Sequence, residues 1–97
     1  MRISDITEEF GLKYLKIDLP DETDKEIIRN ILPSAKGYIT EYTGQTEEKL
    51  DEYEDLTYAY LVLIEDMYDN RSMAVNSSNV NRTVRTILSM HSLNNVG

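Results

Sequence analysis

The apolar side chains of this chain recur at the spacing of an α-helix, and this periodicity constrains its fold more than any other feature. The densest stripe runs through Leu56–Tyr68, where apolar residues return every three or four positions. No stretch alternates apolar and polar residues as a half-buried strand does, and no Asn-Gly or Asp-Gly pair signals a hairpin. The sequence therefore predicts an all-α fold, a small bundle of four to five helices, which we expect to form one domain over residues 1–97.

The first predicted helical segment is Ser4–Ile17, with Ser4 as a candidate N-cap. Glycine is a poor helix former, so we expect Gly11 to limit this segment to short turns of helix. Pro20 ends the segment, and the acidic turn around it leads into the next helix.

A longer helix is predicted over Thr23–Tyr42. Thr23 and Glu26 fit a T-x-x-E capping box at its start, and Gly44 fits a left-handed C-cap after its end. Pro33 lies inside this helix and removes one backbone donor, so we expect a kink or two helices in sequence.

The second half of the chain holds the long central helix, predicted over Glu54–Arg71. It is apolar over most of its circumference, so other helices must cover it on several sides, from this chain or from another. Asparagine and serine then predict a polar loop over Ser72–Asn81, and a C-terminal helix follows over Asn79–Leu93.

Charge is divided unevenly between the two ends of the chain. All 18 acidic residues lie in Met1–Asp69 with 7 basic ones, a net charge of −11, whereas the remainder carries three arginines and no acid. The basic C-terminal part either folds back onto its own acidic body or docks on an acidic surface of another copy or another protein. Both arrangements use the same Coulomb attraction, so composition leaves them open.

Six acidic residues stand close together just before and at the start of the central helix. They are Glu47, Glu48, Asp51, Glu52, Glu54 and Asp55. One interpretation is a solvated linker or helix start, where carboxylates suit the positive end of the helix dipole. The other is an acidic rim that repels phosphate or attracts a basic partner.

Residues that would support catalysis are scarce. The chain has no cysteine, and His91 is its only histidine, placed on the apolar face of a predicted helix. Asp21, Glu22 and Asp24 lack the central glycine and terminal glutamate of a calcium loop. We therefore expect no catalytic residue, no metal site and no cofactor. The longest apolar run, Ala59–Ile64, is too short for a membrane span.

Four sequence segments, taken in order, resemble the head–tail connector (adaptor) family of long-tailed bacteriophages, whose members are also labelled phage DNA-packaging proteins. The segments are LKYLKID (Leu12–Asp18), PDETD (Pro20–Asp24), IIRNILPSAKGYITEYTG (Ile27–Gly44) and LIEDMYDNR (Leu63–Arg71). Together they cover most of the chain. Two features depart from the family pattern: Pro33 within its helix and the long lead-in Met1–Gly11.

The resemblance implies a structural protein of the virion that forms an oligomeric ring beneath the portal. Its expected partners are further copies of itself, the portal protein, and a neck, head-closure or tail protein, and assembly takes place in the host cytoplasm. DNA would pass through the ring without being read, which suits an acidic chain that cannot grip phosphates.

We predict seven residues at subunit or portal interfaces: Tyr60, Tyr68, Arg71, Arg82, Arg85, Leu88 and His91. Tyrosine and arginine are enriched in protein interfaces, and a small core favours completion of burial by oligomerisation. The alternative function is an acidic regulator or DNA mimic, a monomer or dimer that blocks a nucleic-acid-binding protein with its Glu47–Asp55 cluster.

Overall fold

The computed structural model describes residues 1–71 and 81–93, and these form five α-helices and no strand. The helices are α1 (Glu8–Tyr14), α2 (Glu22–Thr43), α3 (Glu47–Leu50), α4 (Glu54–Asp69) and α5 (Arg82–Met90), after a 3-10 turn at Ile3–Asp5. The predicted all-α bundle of four to five helices is confirmed. Apart from Asn81, the predicted polar loop lies outside the described residues. No helix in the described parts is both long and apolar enough to cross a membrane.

The N-terminal segment forms the 3-10 turn and the short helix α1, but its predicted cap is wrong. Ser4 lies inside the 3-10 turn, and Thr7 caps α1 by accepting a hydrogen bond from the Phe10 backbone N–H at 3.1 Å. Gly11 lies within α1 and is buried against α2. A Cβ at this position would lie 3.1 Å from Ile28 Cγ1, so glycine allows the two helices to approach closely.

Residues ahead of α1 cover part of the core, which gives the long lead-in a structural role. Ile3 is 1% exposed, and the 3-10 turn around it packs against α3 and α4. The Ser4 backbone N–H donates to Asp51 Oδ1 at 3.0 Å, and the Thr57 hydroxyl donates to the Met1 carbonyl at 2.9 Å. The lead-in therefore joins the turn after α3 to the first turns of α4.

Helix α2 begins with a reciprocal capping box that differs from the predicted one. Asp21 accepts from the Asp24 N–H at 2.8 Å, and the Asp24 carboxylate accepts from the Asp21 N–H at 3.2 Å. The predicted box of Thr23 and Glu26 is wrong because the helix has already started at Glu22. The predicted C-cap is confirmed, since Gly44 adopts φ 72° and its N–H donates to the Thr40 carbonyl at 2.8 Å.

Pro33 lies in the middle of α2 without dividing it into two helices. The proline ring is on an exposed face, whereas the residues that anchor α2 on either side of it, Ile31 and Ala35, are buried. Packing on both flanks compensates for the one backbone hydrogen bond that proline cannot make. Of the two expected outcomes, a kink or two consecutive helices, the second is therefore wrong, because α2 is one 22-residue helix.

The core forms where α4 packs against both α2 and α5, with α1 adding cover. Four large side chains of α4 are essentially inaccessible: Leu56, Tyr60, Leu63 and Ile64. From α5, Val84 and Leu88 are both fully buried against this cluster. Because α5 has only nine residues, its helical structure depends on this packing.

Tyr60 offers a test of the core, because it combines complete burial with one hydrogen bond. Its hydroxyl donates to the Leu32 carbonyl of α2 at 3.1 Å. We expect Tyr60→Phe to lower the free energy of unfolding by about 1 kcal/mol at neutral pH, the usual net value of such a bond. Urea denaturation measures the change. Tyr58→Phe, on the exposed side of the same helix, is the matched control and should leave the midpoint unchanged.

The same residue predicts how stability varies at alkaline pH. Burial raises the pKa of Tyr60 from its ordinary value of 10.0 to about 12. The folded state therefore resists ionisation, and this contribution to stability is complete below pH 10 and is lost as pH rises towards 12. Tyr60→Phe should lose less stability than the parent over that interval, by on the order of 2 kcal/mol. Equal losses of stability at alkaline pH in the parent and in the variant would contradict the raised pKa of Tyr60.

Candidate interface surfaces

Two of the predicted interface residues are covered by the chain itself. Tyr60 and Leu88 each have no exposed surface, because α2, α4 and α5 enclose them. An apolar face at helical spacing does not reveal which chain covers it, and here the cover comes from the same molecule. Neither side chain presents surface to a partner in this fold, so the interface proposed below is built without them.

Tyr68 and Arg71 form a local pair at the end of α4. The Arg71 guanidinium lies 4.2 Å from the centroid of the partly buried Tyr68 ring, and Arg71 Nη1 donates to the Tyr68 carbonyl at 2.6 Å. The arginine remains exposed and pairs with no carboxylate among the described residues. It follows that its charge is available to a partner.

His91 fastens the end of α5 to the body of the protein. Its Nε2 lies 2.9 and 3.0 Å from the two carboxylate oxygens of Asp55, and its ring lies 4.3 Å, centroid to centroid, from that of Tyr53. The His91 carbonyl accepts from Gln45 Nε2, and the Leu93 N–H donates to the Thr43 carbonyl at 2.7 Å. We call these five residues and His91 the α5 clasp.

The six-residue acidic rim is mostly engaged within the chain. Glu47 pairs with Lys36 at 3.5 Å and Glu52 with Lys49 at 3.3 Å, while Asp51 and Asp55 accept the contacts described above. Among the described residues, Glu48 and Glu54 are the two members of the rim that are exposed and form no ion pair. Of the six carboxylates in the rim, two therefore remain exposed and without an ion pair among the described residues.

Arg82 and Arg85 are exposed on α5 and have no carboxylate partner in the described parts of the chain. The contrast with the acidic part is clear, because six of its seven basic residues form ion pairs. These are Arg2, Lys13, Lys25, Arg29, Lys36 and Lys49. Folding thus satisfies the cations of the body and leaves the C-terminal arginines with free charge.

Arg85 also borders a surface groove between α2 and α5. The groove has a volume of about 420 Å³ and is lined by Tyr38, Glu41, Tyr42 and Arg85. The two tyrosine rings lie 6.0 Å apart, and the Tyr42 hydroxyl is hydrogen-bonded to Ser89 Oγ at 2.9 Å. Burial raises the pKa of Tyr38, with Arg85 opposing the shift. The groove therefore offers aromatic walls, one cation and one carboxylate.

The sequence-based reasoning missed a second exposed surface, on the side of α4 that faces away from the core. We call it the outer face of α4, and its exposed members are Glu54, Asp55, Tyr58, Glu65 and Asp69. Tyr58 is 56% exposed at the centre, and the partly buried Leu61 and Val62 lie beside it. The sequence did contain a signal for this face, because acidic residues at helical spacing interrupt the apolar stripe of α4.

The α5 clasp predicts that the C-terminal end of α5 loosens when His91 is removed. We expect His91→Ala to speed amide hydrogen exchange in α5 roughly tenfold, the equivalent of about 1.4 kcal/mol. Asp55→Ala should produce a similar effect because it removes the same contact. Glu54→Ala, which removes an exposed neighbouring carboxylate with no ion pair, is the control. Unchanged exchange in His91→Ala would show that the clasp does not hold α5.

The helical fold with segregated surface charge defines a class of protein, one that works by assembling with other proteins. The comparison with known families makes this specific, since the model of the phage gp6-like head-tail connector proteins matches residues 13–94. The chain belongs to this family. Searches of curated proteins and of solved structures gave no match.

Family membership confirms the resemblance seen in the sequence and makes the chain a structural component of a phage particle. Proteins of this kind interact with other head and tail proteins, and the family is not one of enzymes. The match begins at residue 13, so the lead-in that packs over α3 and α4 lies outside the region described by the family model.

Proposed function

We propose that the chain is one subunit of an oligomeric ring that joins the portal of the DNA-filled head to the neck or tail, with DNA passing through the ring. Membership of the connector family supports the location, and it supports contacts with head and tail proteins. The function is one of assembly, in which charged surfaces set the register between subunits and no bond is made or broken.

The observation that carries the proposal is the free charge on α5. Two arrangements were open from the sequence. The basic part does fold back, since α5 packs against α2 and α4, but among the described residues its arginines form no ion pair with the acids of the body. Arg82 and Arg85 are exposed on α5 while nearly every cation of the body is paired within the chain. Docking on an acidic surface of another copy or of the portal would use that charge.

The channel function rests on the acidic character of the chain. The formal net charge is −8, and phosphate binding requires clustered lysine and arginine that the body lacks. Among the described residues, Glu48 and Glu54 form no ion pair within the chain, and Glu48, which lies in α3 and outside the outer face of α4, is the member of the rim best able to face a channel. Carboxylates along a channel repel phosphates, so DNA would slide past them without being held.

The proposal is tested by native mass spectrometry of the purified protein over a concentration series, with and without its cognate portal. We expect a closed ring of defined copy number, free or on the portal. A monomer or dimer that ignores the portal would contradict the proposal and would favour an acidic regulator that blocks a nucleic-acid-binding protein.

A paired substitution tests the role of the C-terminal arginines. We expect Arg82→Glu with Arg85→Glu to abolish ring formation or portal attachment, because two positive charges become negative at exposed positions that form no ion pair with the described residues. The control is Lys13→Glu with Lys16→Glu, an equal change of charge at exposed positions near the end of α1. Unchanged attachment of the double arginine variant, with the same melting temperature as the parent, would rule out this role.

A further inference from the structure

Two exposed surfaces of the fold have complementary properties. The outer face of α4 presents a tyrosine among carboxylates and carries no basic residue. The groove between α2 and α5 has tyrosine walls with Arg85 at its border, and Arg82 is exposed one turn earlier on α5. One surface is convex, aromatic and acidic at its edges; the other is concave, aromatic and basic at its edge.

The free charge on the outer face of α4 is strong enough to affect its own neighbours. Burial raises the pKa of Asp66, and the carboxylates of Glu65 and Asp69 raise it further, against a backbone hydrogen bond from Asn81. Among the described residues, Glu54, Glu65 and Asp69 form no ion pair. A cation brought to this face would therefore relieve repulsion as well as gain attraction.

The two surfaces are formed by different helices, since no residue of α4 lines the groove between α2 and α5. Helices α2, α4 and α5 all pack against one another, and Tyr58 lies on the exposed side of α4, away from the α4 residues that are buried in the core. Only Asp55, at the start of this face, contacts the end of α5 through His91. The groove between α2 and α5 opens on the side that α4 does not occupy. One copy therefore cannot bring its own Tyr58 into its own groove, whereas a second copy can.

The geometry points to a contact between copies in which Tyr58 of one copy enters the α2–α5 groove of the next. Glu54 and Glu65, one turn before and two turns after Tyr58 along α4, then lie near Arg82 and Arg85 of the receiving copy. This inference rests on the proposed ring function and names the surfaces through which the ring closes.

The side chains at this contact suit one another chemically. The Tyr58 ring packs on the wall that the adjacent rings of Tyr38 and Tyr42 form, and its hydroxyl reaches a groove that contains the Glu41 carboxylate as acceptor. Arg85 at the border gives the guanidinium that an aromatic, acidic surface attracts. The contact joins two different surfaces, so it repeats from copy to copy and forms a ring where the rotation closes.

Cross-linking tests the contact directly, because the chain has no native cysteine. Tyr58→Cys and Ser89→Cys together place one thiol on the outer face of α4 and one beside the groove. Treatment of the assembled protein with a short bismaleimide should give a ladder of covalent multimers on a denaturing gel. Each single-cysteine variant should give no such ladder, because a repeating chain of links needs both sites.

A matched pair with the second thiol on α2 far from the groove, Tyr58→Cys with Glu26→Cys, controls for random collision and should give no ladder. If the protein assembles and the Tyr58–Ser89 pair still gives no ladder, the contact is wrong while the ring proposal stands. If neither the parent nor the variant assembles, with or without the portal, the ring proposal itself fails.

An exchange of charges provides an independent test, and it also separates failure of this contact from failure of the ring proposal. Glu54→Lys with Glu65→Lys should abolish the ring, and adding Arg82→Glu with Arg85→Glu to the same chain should restore it, because complementarity is re-established with the signs exchanged. Glu22→Lys with Glu26→Lys is the control and should leave the ring intact. Glu65 also accepts a hydrogen bond from Tyr14, so circular dichroism must show that each variant is folded. A ring that is indifferent to the first pair would overturn the inference.

Discussion

Burial of the inner side of α4 is the interaction on which the rest of the structure depends. Helix α2 packs along one part of it and α5 along another, and the lead-in at the N-terminus covers its first turns. Because α5 is too short to be stable alone, the position of the C-terminal arginines follows from how two of its side chains, Val84 and Leu88, fit against α4. The surface that serves assembly is thus set by the core.

The existence and type of each long helix could be predicted from apolar spacing. Gly44 could be predicted as the C-cap of α2 because a helix end often requires a left-handed conformation, which glycine adopts easily. The first residue of each helix was harder to predict. Asp21, Thr23, Ser4 and Thr7 are all competent caps, and their energies differ by less than the packing that decides among them. Pro33 shows the same limit, since tertiary contacts on both of its flanks outweigh a local preference.

Prediction of interface residues from the sequence used two signals, charge and apolar character, and the two led to residues in different environments. The acid-free C-terminal part led to Arg82 and Arg85, which are exposed and form no ion pair within the described ranges 1–71 and 81–93. Tyr60 and Leu88 were chosen from an apolar stripe, which has the same pattern whether one chain or two cover it. Tyr58 was missed because it lies outside that stripe, on a face whose importance only the packing of α4 defines.

The α5 clasp joins residues 36 to 50 positions apart in the chain, and this separation has a consequence for the order of folding. Closing these contacts costs more chain entropy than closing the α2–α4 contact of Tyr60 with Leu32, which spans 28 positions, so we expect α5 to dock after α2 and α4 have paired. A copy in which α5 has not yet docked already has the outer face of α4 but not the groove. Tyr58 of such a copy could bind the groove of a neighbour, but the copy would have no groove for the next subunit. It would therefore stop the growth of an assembly at that point.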